Sequence, residues 1–321
     1  ARFTDKLAGV VQVLAQHQYD NSFAPRIEWA NLQYQFTPEL SARVGRIVMP
    51  TLMISDSRSV GYANHWVRVP QEVYTVASIT NNDGVDVTYR RRIGSSAVNR
   101  LNAFYGTSMA RLPSGSAESD PSWGVNDTLE IGSLTLPAGF VRTKLNLVTP
   151  QIAPLLAGLA ATSPALAQQY KLDGMSVGNI TLGAMYDPGE WFAMAEFAAL
   201  HGDGLMPDSN AWYVGGGYRF GAFTPYATYA QVKAKIEAQG PVAGVPAALI
   251  GGVDATKELI GSTQKSLSCG VRWDVARNTA LKLQYDRLDV GTNSRGTLAN
   301  AQPGVQLGKV NVVSVAVDFV F

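Results

Sequence analysis

The sequence predicts an all-β fold, a transmembrane antiparallel up-and-down β-barrel, and two observations favour it. Segments of about ten residues with alternating hydrophobicity recur along the chain, as is typical of strands with one apolar and one polar face. The connections between these segments alternate between short turns and long loops, as they do in transmembrane barrels. A soluble β-sandwich more often mixes connection lengths and uses Greek-key crossings.

About 14 strands are predicted, and each is close to the ~9–11 residues that a tilted membrane strand requires. Within each strand one face would meet lipid and the other would face the interior. The predicted strands are 7–16, 25–36, 41–48, 83–92, 97–106, 127–136, 140–149, 175–186, 190–201, 211–220, 223–235, 264–274, 279–290 and 309–321.

The turns between paired strands carry recognisable signals. D-P-G at 187–189 is a strong turn because proline presets φ and glycine tolerates positive φ. A second short turn is expected at P-A-G, residues 137–139. Helix is expected to be limited to short pieces, within 150–170 and 49–82. The long connections are 17–24, 49–82, 107–126, 150–174, 202–210, 236–263 and 291–308.

The composition excludes several other classes of protein. The mean hydropathy is zero, and no segment approaches the ~20 consecutive apolar residues of a membrane helix. A net charge of +1 excludes a strongly basic nucleic-acid binder, so no nucleic-acid partner is expected. The single cysteine, Cys269, excludes an intrachain disulfide. The three histidines are far apart and have no cysteine companions, so neither a metal site nor a cofactor is expected.

The alternation also assigns residues to the two faces of the barrel. Apolar residues such as Val85, Val141 and Leu145 are expected to face outward. Many charged residues have the opposite parity, and a narrow dry barrel could not pair them all. A wide, water-filled barrel accommodates them, which indicates a pore. The basic residues predicted to line its wall are Arg43, Arg90, Arg100, Arg142 and Lys144.

The last strand shows the clearest alternation, because every second residue from Val313 to Phe321 is apolar and the chain stops on an aromatic residue. This ending, with Phe319 and Phe321, resembles the C-terminal signal of Gram-negative outer-membrane barrels. The resemblance implies that the barrel-insertion machinery reads the signal and that this strand closes the barrel. It also implies a location in the bacterial outer membrane.

R-V-G-R at 43–46, followed by the long loop 49–82, resembles the trimeric general porins. The opening A-R-F-T-D-K is similar to the later turn F-T-P-E-L-S at 36–41, so the chain is expected to begin inside a periplasmic turn. Two further strands would then give 16 in the full-length protein, with about 14 in this chain. Residues 1–321 are expected to form a single transmembrane barrel domain.

With that strand offset, 49–82 becomes the third extracellular loop, which the resemblance implies folds into the lumen and narrows the channel. In the family, acids of this loop oppose a basic wall. The loop here is mixed in charge, which departs from that pattern. Alternatively, its arginines pair with its own acids and hold its shape. The candidate constriction residues are Asp56, Arg58, His65, Arg68, Glu72 and Asp83.

The resemblance implies passive diffusion of small hydrophilic solutes through a water-filled channel. Inward basic residues outnumber inward acids in these assignments, which favours a weak preference for anions or carboxylates. A homotrimer embedded among lipid and lipopolysaccharide is expected, with Ala193, Ala195 and Ala199 as candidate contacts.

Two other function classes remain open on the sequence alone. An adhesin or binding barrel would act through its outer loops. A barrel hydrolase would need a general base, usually histidine, beside a nucleophile. His17, His65 and His201 are not part of a G-x-S-x-G or H-E-x-x-H arrangement, so no catalytic residue is nominated and no enzyme activity is expected. Conductance across a lipid bilayer separates these classes from an open pore.

Overall fold

The computed structural model describes residues 1–18, 22–76, 79–112, 115–292, 294–298 and 307–320. Within these ranges the chain forms one antiparallel sheet of sixteen strands. The strands are β1 (Leu7–Leu14), β2 (Arg26–Gln35), β3 (Leu40–Val48), β4 (Asn81–Ile93), β5 (Ala97–Thr107), β6 (Met109–Leu112), β7 (Gly115–Ser119), β8 (Ser122–Ile131), β9 (Leu134–Val148), β10 (Met175–Tyr186), β11 (Trp191–Gly202), β12 (Asp208–Tyr218), β13 (Phe223–Lys235), β14 (Thr263–Ala276), β15 (Thr279–Val290) and β16 (Lys309–Phe319).

The strands follow one another in up-and-down order, which confirms the predicted topology. Fourteen of them form the main path from β1 to β16, and each corresponds to a predicted segment. The hairpin β6–β7 lies off this path and pairs with β9 through β7. It was not predicted, because its two strands are very short. Strands β1 and β16 are the edges of the sheet, and no ladder joins them within the described ranges.

Short helices occupy three of the long connections. They are α1 (Gln71–Tyr74), α2 (Ala153–Thr162), α3 (Pro164–Gln169) and α4 (Ala247–Ile260). The first three confirm the predicted helical pieces, whereas α4 was missed. In the part of the chain that is described, each helix is too short or too polar to cross a lipid bilayer.

The outer face of the sheet is apolar, as the alternation predicts. Along β16, Val313, Val315 and Val317 are exposed, as is Phe319 at the end of the strand. The other half of the predicted C-terminal signal, Phe321, lies outside the described residues. Aromatic pairs gather near the short turns, as expected of an interfacial girdle. These pairs are Tyr186–Trp191, Tyr218–Phe220 and Phe223–Trp273.

The turn between β8 and β9 differs from the prediction, and the difference reverses the two faces of β9. The chain turns at Gly132, where φ is +56°, and P-A-G lies within β9. A shift of this kind moves every side chain to the other face. Val141 and Leu145, predicted to face lipid, are therefore inward and only 7% exposed.

Two residues predicted to line the pore consequently lie on the outer face. Arg142 is the register partner of Trp123, an exposed residue of the outer face. Lys144 has the same parity as Arg142 and is paired in register with Ser176. The assignment of Arg142 and Lys144 to the pore wall is therefore wrong, and its cause is the misplaced turn.

Three glycines are aligned across β3, β4 and β5, where the backbones approach closely. Gly45 pairs in register with Gly84, which pairs with Gly106. The φ of Gly45 is +119°, in a region that favours glycine. A Cβ on Gly84 would collide with the carbonyl oxygen of Tyr105 and lie 2.7 Å from the Cα of Gly106. No other residue fits this row without a backbone shift.

The long connections on the extracellular side build a small apolar core of their own. Helices α2 and α3 pack with α4, although they belong to connections far apart in the chain. Burying these side chains together removes apolar surface from water outside the barrel. The buried members are Leu159, Leu166, Tyr170, Leu205, Ile250 and Val253.

Candidate functional site

The long connection between β3 and β4 lies against the inner face of the sheet. It extends from the end of β3 at Val48 to the start of β4 at Asn81, and we call residues 49–80 the inner loop. Thr181, an inward residue of β10, donates a hydrogen bond to the carbonyl of Thr51 at 2.6 Å. The inner loop reaches as far as β16, where Gly61 lies against Asp318.

Apolar packing holds the inner loop to one side of the barrel. Its buried side chains are Leu52, Trp66, Val73 and Tyr74. Each large apolar side chain buried in this way contributes about 1.5–3 kcal/mol. The loop residues pack on inward-facing residues of β11, β12 and β13, which are Phe192, Met194, Ala198, Ala211, Tyr213, Tyr226, Ala230 and Val232.

A buried glutamate in β11 fixes both the outgoing and the returning arm of the inner loop. Glu196 is only 3% exposed. It accepts the backbone N–H of Met53 at 2.6 Å and the hydroxyl of Tyr74 at 3.0 Å. A hydrogen bond contributes about 0.5–1.5 kcal/mol net, and Glu196 anchors the loop through two of them.

Two inward cations hold the tip of the inner loop through its backbone carbonyls. Lys282 donates to Gly61 at 2.7 Å and to Trp66 at 3.2 Å, and it pairs with Asp318. Arg272 donates to the carbonyl of Tyr62 at 2.6 Å. Both side chains point at the loop and donate hydrogen bonds to its carbonyls, so these two cations do not face open water.

The predicted loop residue His65 is part of the same tip. Its ring stacks on Phe192 with centroids 4.1 Å apart and an interplanar angle of 13°. Burial, together with the nearby Arg219 and Arg272, lowers the pKa of His65 to about 4. The imidazole is therefore neutral at pH 7, and its main role is packing.

The remaining loop candidates have different surroundings. Asp56 is exposed and lies close enough to Arg43 to interact with it electrostatically. The guanidinium of Arg58 lies 5.5 Å from the ring centroid of Tyr74, and burial lowers its pKa. Glu72 is buried and accepts a hydrogen bond from Gln264 at 2.7 Å.

Two of the charged candidates differ from the sequence-based interpretation. Arg68 pairs with Asp286 on β15 at 2.6 Å, whereas the alternative considered above expected it to pair with an acid of the loop. Asp83 belongs to β4 and pairs with Arg46 at 2.7 Å. Arg46 and Asp83 have the same parity as the exposed Val44 and Val85 on their strands. Asp83 therefore faces outward and is not a loop residue.

The wall opposite the packed loop carries the other predicted arginines. Arg43 forms a bidentate pair with Asp86, with Nε at 2.8 Å from Oδ2. Arg90 and Arg100 are register partners near the short turn of β4 and β5, and both are exposed. Sequence reasoning missed Arg92, although it shares the parity of Arg90 and therefore also faces inward. In the part of the chain that is described, no ion pair is formed by Arg90, Arg92 or Arg100.

The interior is therefore asymmetric. Inward residues of β11 to β15 are covered by the inner loop, whereas inward residues of β3 to β5 include exposed arginines. Among the described residues, no cluster of His, Cys, Asp and Glu could hold a metal ion.

Similar folds occur among solved outer-membrane proteins. OmpF of Salmonella typhi in complex with daunomycin is 13% identical, covers 99% of this chain and 87% of its own, and has a TM-score of 0.62. OmpT of Vibrio cholerae is 13% identical, covers 92% of this chain and 81% of its own, and has a TM-score of 0.56. The outer-membrane channel DcaP of Acinetobacter baumannii is 13% identical, covers 90% and 77%, and has a TM-score of 0.53.

At these identities the structures show a shared fold, and membership in a family is decided by the sequence. No curated protein matches the chain in sequence. A sequence profile of Gram-negative porins, however, matches residues 41–293, which is well over half of the chain. The match includes most of the main path of strands and the entire inner loop. The chain therefore belongs to the Gram-negative porins of the bacterial outer membrane.

Proposed function

We propose that the protein is a water-filled channel for the passive diffusion of small hydrophilic solutes, narrowed by the inner loop. The observation that carries this proposal is the one-sided attachment of the loop. A loop that crossed the lumen freely would obstruct it, whereas this loop packs on β11 to β13 and leaves Arg90 and Arg100 on the other wall exposed. Diffusion of this kind needs no cofactor and no energy input, and catalysis is not part of the proposal.

The narrowest zone would lie where Asp56 faces Arg43. Asp56 is the exposed acid of the loop, and it interacts electrostatically with Arg43 on the opposite wall. A carboxylate and a guanidinium on opposing sides create a field across the path of a solute. This arrangement would correspond to the family pattern, in which loop acids oppose a basic wall, but with a single loop acid.

The proposed ion preference is for anions, including small carboxylates. Arg90, Arg92 and Arg100 face inward near a short turn, which would lie at the periplasmic mouth. Asp86 on the same strands is already paired with Arg43, and Glu130 is the other inward acid of β4, β5 and β8. Three arginines therefore outweigh one free carboxylate, and such groups are the usual device for anion selectivity.

The test is the reversal potential of single channels under a salt gradient. Replacing Arg90 and Arg100 with glutamine should lower the anion-to-cation permeability ratio, most clearly at low salt where screening is weak. Arg142→Gln is the matched control, because it removes an arginine from the outer face and should leave the ratio unchanged. An unaltered ratio in the double variant would refute the role of the mouth arginines.

The same measurement tests the channel itself. An ohmic conductance supports diffusion. A barrel that stays closed at all voltages would instead favour a binding protein that acts through the extracellular helices α2 to α4.

We also propose that the protein assembles as a homotrimer. OmpT of Vibrio cholerae has been solved in a trimer form. Small outward residues on β11, namely Ala193 and Ala195, are exposed on the outer face and would permit close approach of a neighbouring subunit, as would Ala199. Light scattering of the protein in mild detergent should give the mass of three chains, and a monomer would contradict this.

A further inference from the structure

A polar cavity lies behind the inner loop, between the loop and the barrel wall. Its volume is about 220 Å³, well above the ~10–15 Å³ of such space that one water molecule needs. The wall side belongs to β14, β15 and β16, and the loop side to residues 68–72. Thr297 and Leu298 of an extracellular connection complete the lining. The cavity is thus on the other side of the loop from the proposed diffusion path.

Two glutamines hold the loop away from the wall at the ends of this cavity. At one end Gln284 accepts the N–H of Val67 at 2.8 Å and donates to Asp286 at 2.7 Å. At the other end Gln264 donates to Glu72 at 2.7 Å and to Thr297 at 3.0 Å. These hydrogen bonds close the cavity at both ends, so its shape follows from the way the loop is attached to the wall.

Two serine hydroxyl groups line the cavity. Ser266 and Ser268 lie on the inward face of β14 and line it. Ser266 is only 5% exposed. Within the described residues, neither hydroxyl forms a hydrogen bond to another protein group. Both hydroxyls border the open space of the cavity, where each can form a hydrogen bond to water or to a bound ligand.

The charged groups of the lining leave one donor and one acceptor available. Arg68 uses one nitrogen for Asp286, and its side chain is 41% exposed, so further N–H groups remain accessible. Both oxygens of Asp286 are engaged, by Arg68 and by Gln284. Among the described residues, Glu72 accepts from Gln264 with one oxygen only. A guanidinium and a carboxylate in one cavity match the two charges of a zwitterion.

The rest of the lining is apolar. Leu288 of β15, Val312 of β16 and Leu298 border the same space. A ligand that fits this cavity therefore has a charged head and an aliphatic body, since apolar groups gain from leaving water here.

We propose that this cavity binds an aliphatic α-amino acid as its zwitterion. The carboxylate contacts Arg68, the ammonium contacts Glu72 and the two serine hydroxyls, and the side chain packs on Leu288 and Val312. The proposal goes beyond the diffusion function, because binding here requires neither passage of the solute nor any ion preference. It depends only on the packing of the inner loop against the wall.

The experiment measures equilibrium binding of L-leucine to the purified protein in detergent by isothermal titration calorimetry. Two fragments serve as comparisons: 4-methylpentanoate lacks the ammonium group, and isopentylamine lacks the carboxylate. Leucine should bind about tenfold or more tightly than either fragment, because each charged contact contributes a charge-assisted hydrogen bond. Equal binding of all three, or no binding of leucine, overturns the proposal.

Two variants then locate the site. Glu72→Gln keeps an acceptor for Gln264 but removes the charge, so it should weaken leucine about tenfold and leave 4-methylpentanoate unchanged. Ser266→Leu fills the cavity and should abolish binding of both. Ser41→Leu makes the same change at an inward serine of β3, far from the cavity, and should have no effect.

The outcomes remain distinct from those of the channel proposal. Undiminished leucine binding in Ser266→Leu refutes the cavity as the site, even if the conductance is as expected. Folding of Ser266→Leu is judged by its migration on gels with and without heating. If it does not fold, the test is Glu72→Gln, and equal weakening of leucine and 4-methylpentanoate in that variant refutes the proposal. Conductance of the same preparation reports on the diffusion function independently.

Discussion

Arginines of the interior differ in what their charge does, and the partner of each residue decides this. Arg43 is bonded to Asp86, which is only 1% exposed. Removing Arg43 would leave the buried carboxylate of Asp86 without its partner, at a cost of about 3–5 kcal/mol. Arg90 and Arg100 have no such partner among the described residues, so their charge is available to solutes. Substitution of Arg43 therefore tests the stability of the barrel, and substitution of Arg90 and Arg100 tests selectivity.

His65 predicts an acid-sensitive attachment of the loop tip. The folded pKa is about 4, below the ordinary value of 6.5, because burial and the nearby Arg219 and Arg272 disfavour the charged ring more than Asp187 favours it. Between these two values a detached tip binds a proton that the packed tip does not. The part of the packing stability that depends on neutral His65 is therefore fully present above pH 6.5. It is lost as the pH falls towards 4.

The loss should be up to about 3 kcal/mol across this window. Hydrogen exchange of residues 61–69, corrected for intrinsic rates, should show falling protection from neutral to acidic pH. His65→Phe keeps the stacking on Phe192 but cannot titrate, so its protection should be independent of pH in this range. The same slope in both proteins would show that another group is responsible.

At the scale of elements, the inner loop depends on a small number of wall contacts. Glu196→Ala would leave the N–H of Met53 and the hydroxyl of Tyr74 without their acceptor. We expect this to weaken the attachment by about 1–3 kcal/mol for each group left unsatisfied. The measurable results are faster proteolysis within residues 49–80 and a noisier, larger single-channel conductance.

Glu130→Ala is the control for this change. Glu130 is another inward glutamate, on β8, but it makes no hydrogen bond to the loop within the described part of the chain. Its conductance noise should equal that of the parent protein. A quiet channel in Glu196→Ala would mean that apolar packing alone is sufficient to hold the loop.

The aligned glycines of β3, β4 and β5 give a prediction about assembly. Gly84→Ala forces a Cβ against the carbonyl of Tyr105, so the backbones must separate and ladder hydrogen bonds weaken. We expect little folded, heat-modifiable barrel on gels. Gly178→Ala should fold normally, because a Cβ there meets nothing nearer than the carbonyl of Val141 at 3.9 Å. Equal folding of both variants would show that the row tolerates side chains.

The elements that sequence predicts well are those with a strong local signal. All main-path strands were found from alternation, because each has one face in an apolar environment. The turn at Gly132 was missed, because P-A-G five residues later has stronger turn chemistry. Pro137 instead lies within β9, where no register pairing joins it to β10, consistent with its missing N–H. Helix α4 was missed inside a connection rich in Ala and Gly.

The whole molecule combines contacts that local patterns cannot specify. Sequence placed the inner loop and its charged residues, but the partners that hold it are distant in the chain. Trp66 donates to Thr228 at 3.0 Å, and Gln284 bonds the backbone of Val67. These pairs depend on which strands face each other across the barrel. For that reason Arg68 and Glu72 were identified as candidates while their actual partners, Asp286 and Gln264, were not.

The attachment of the loop to one wall has a consequence for the shape of the opening. A flat obstacle against one side of a curved wall leaves a D-shaped opening that is narrower in one direction than in the other, and such an opening admits molecules according to their thinnest dimension. We therefore expect benzoate, whose ring is flat, to enter liposomes containing the protein faster than cyclohexanecarboxylate, which has the same charge and a puckered ring. Osmotic swelling rates measure the ratio, and Glu196→Ala should bring it closer to one. Equal rates in the parent protein would mean that the opening is round.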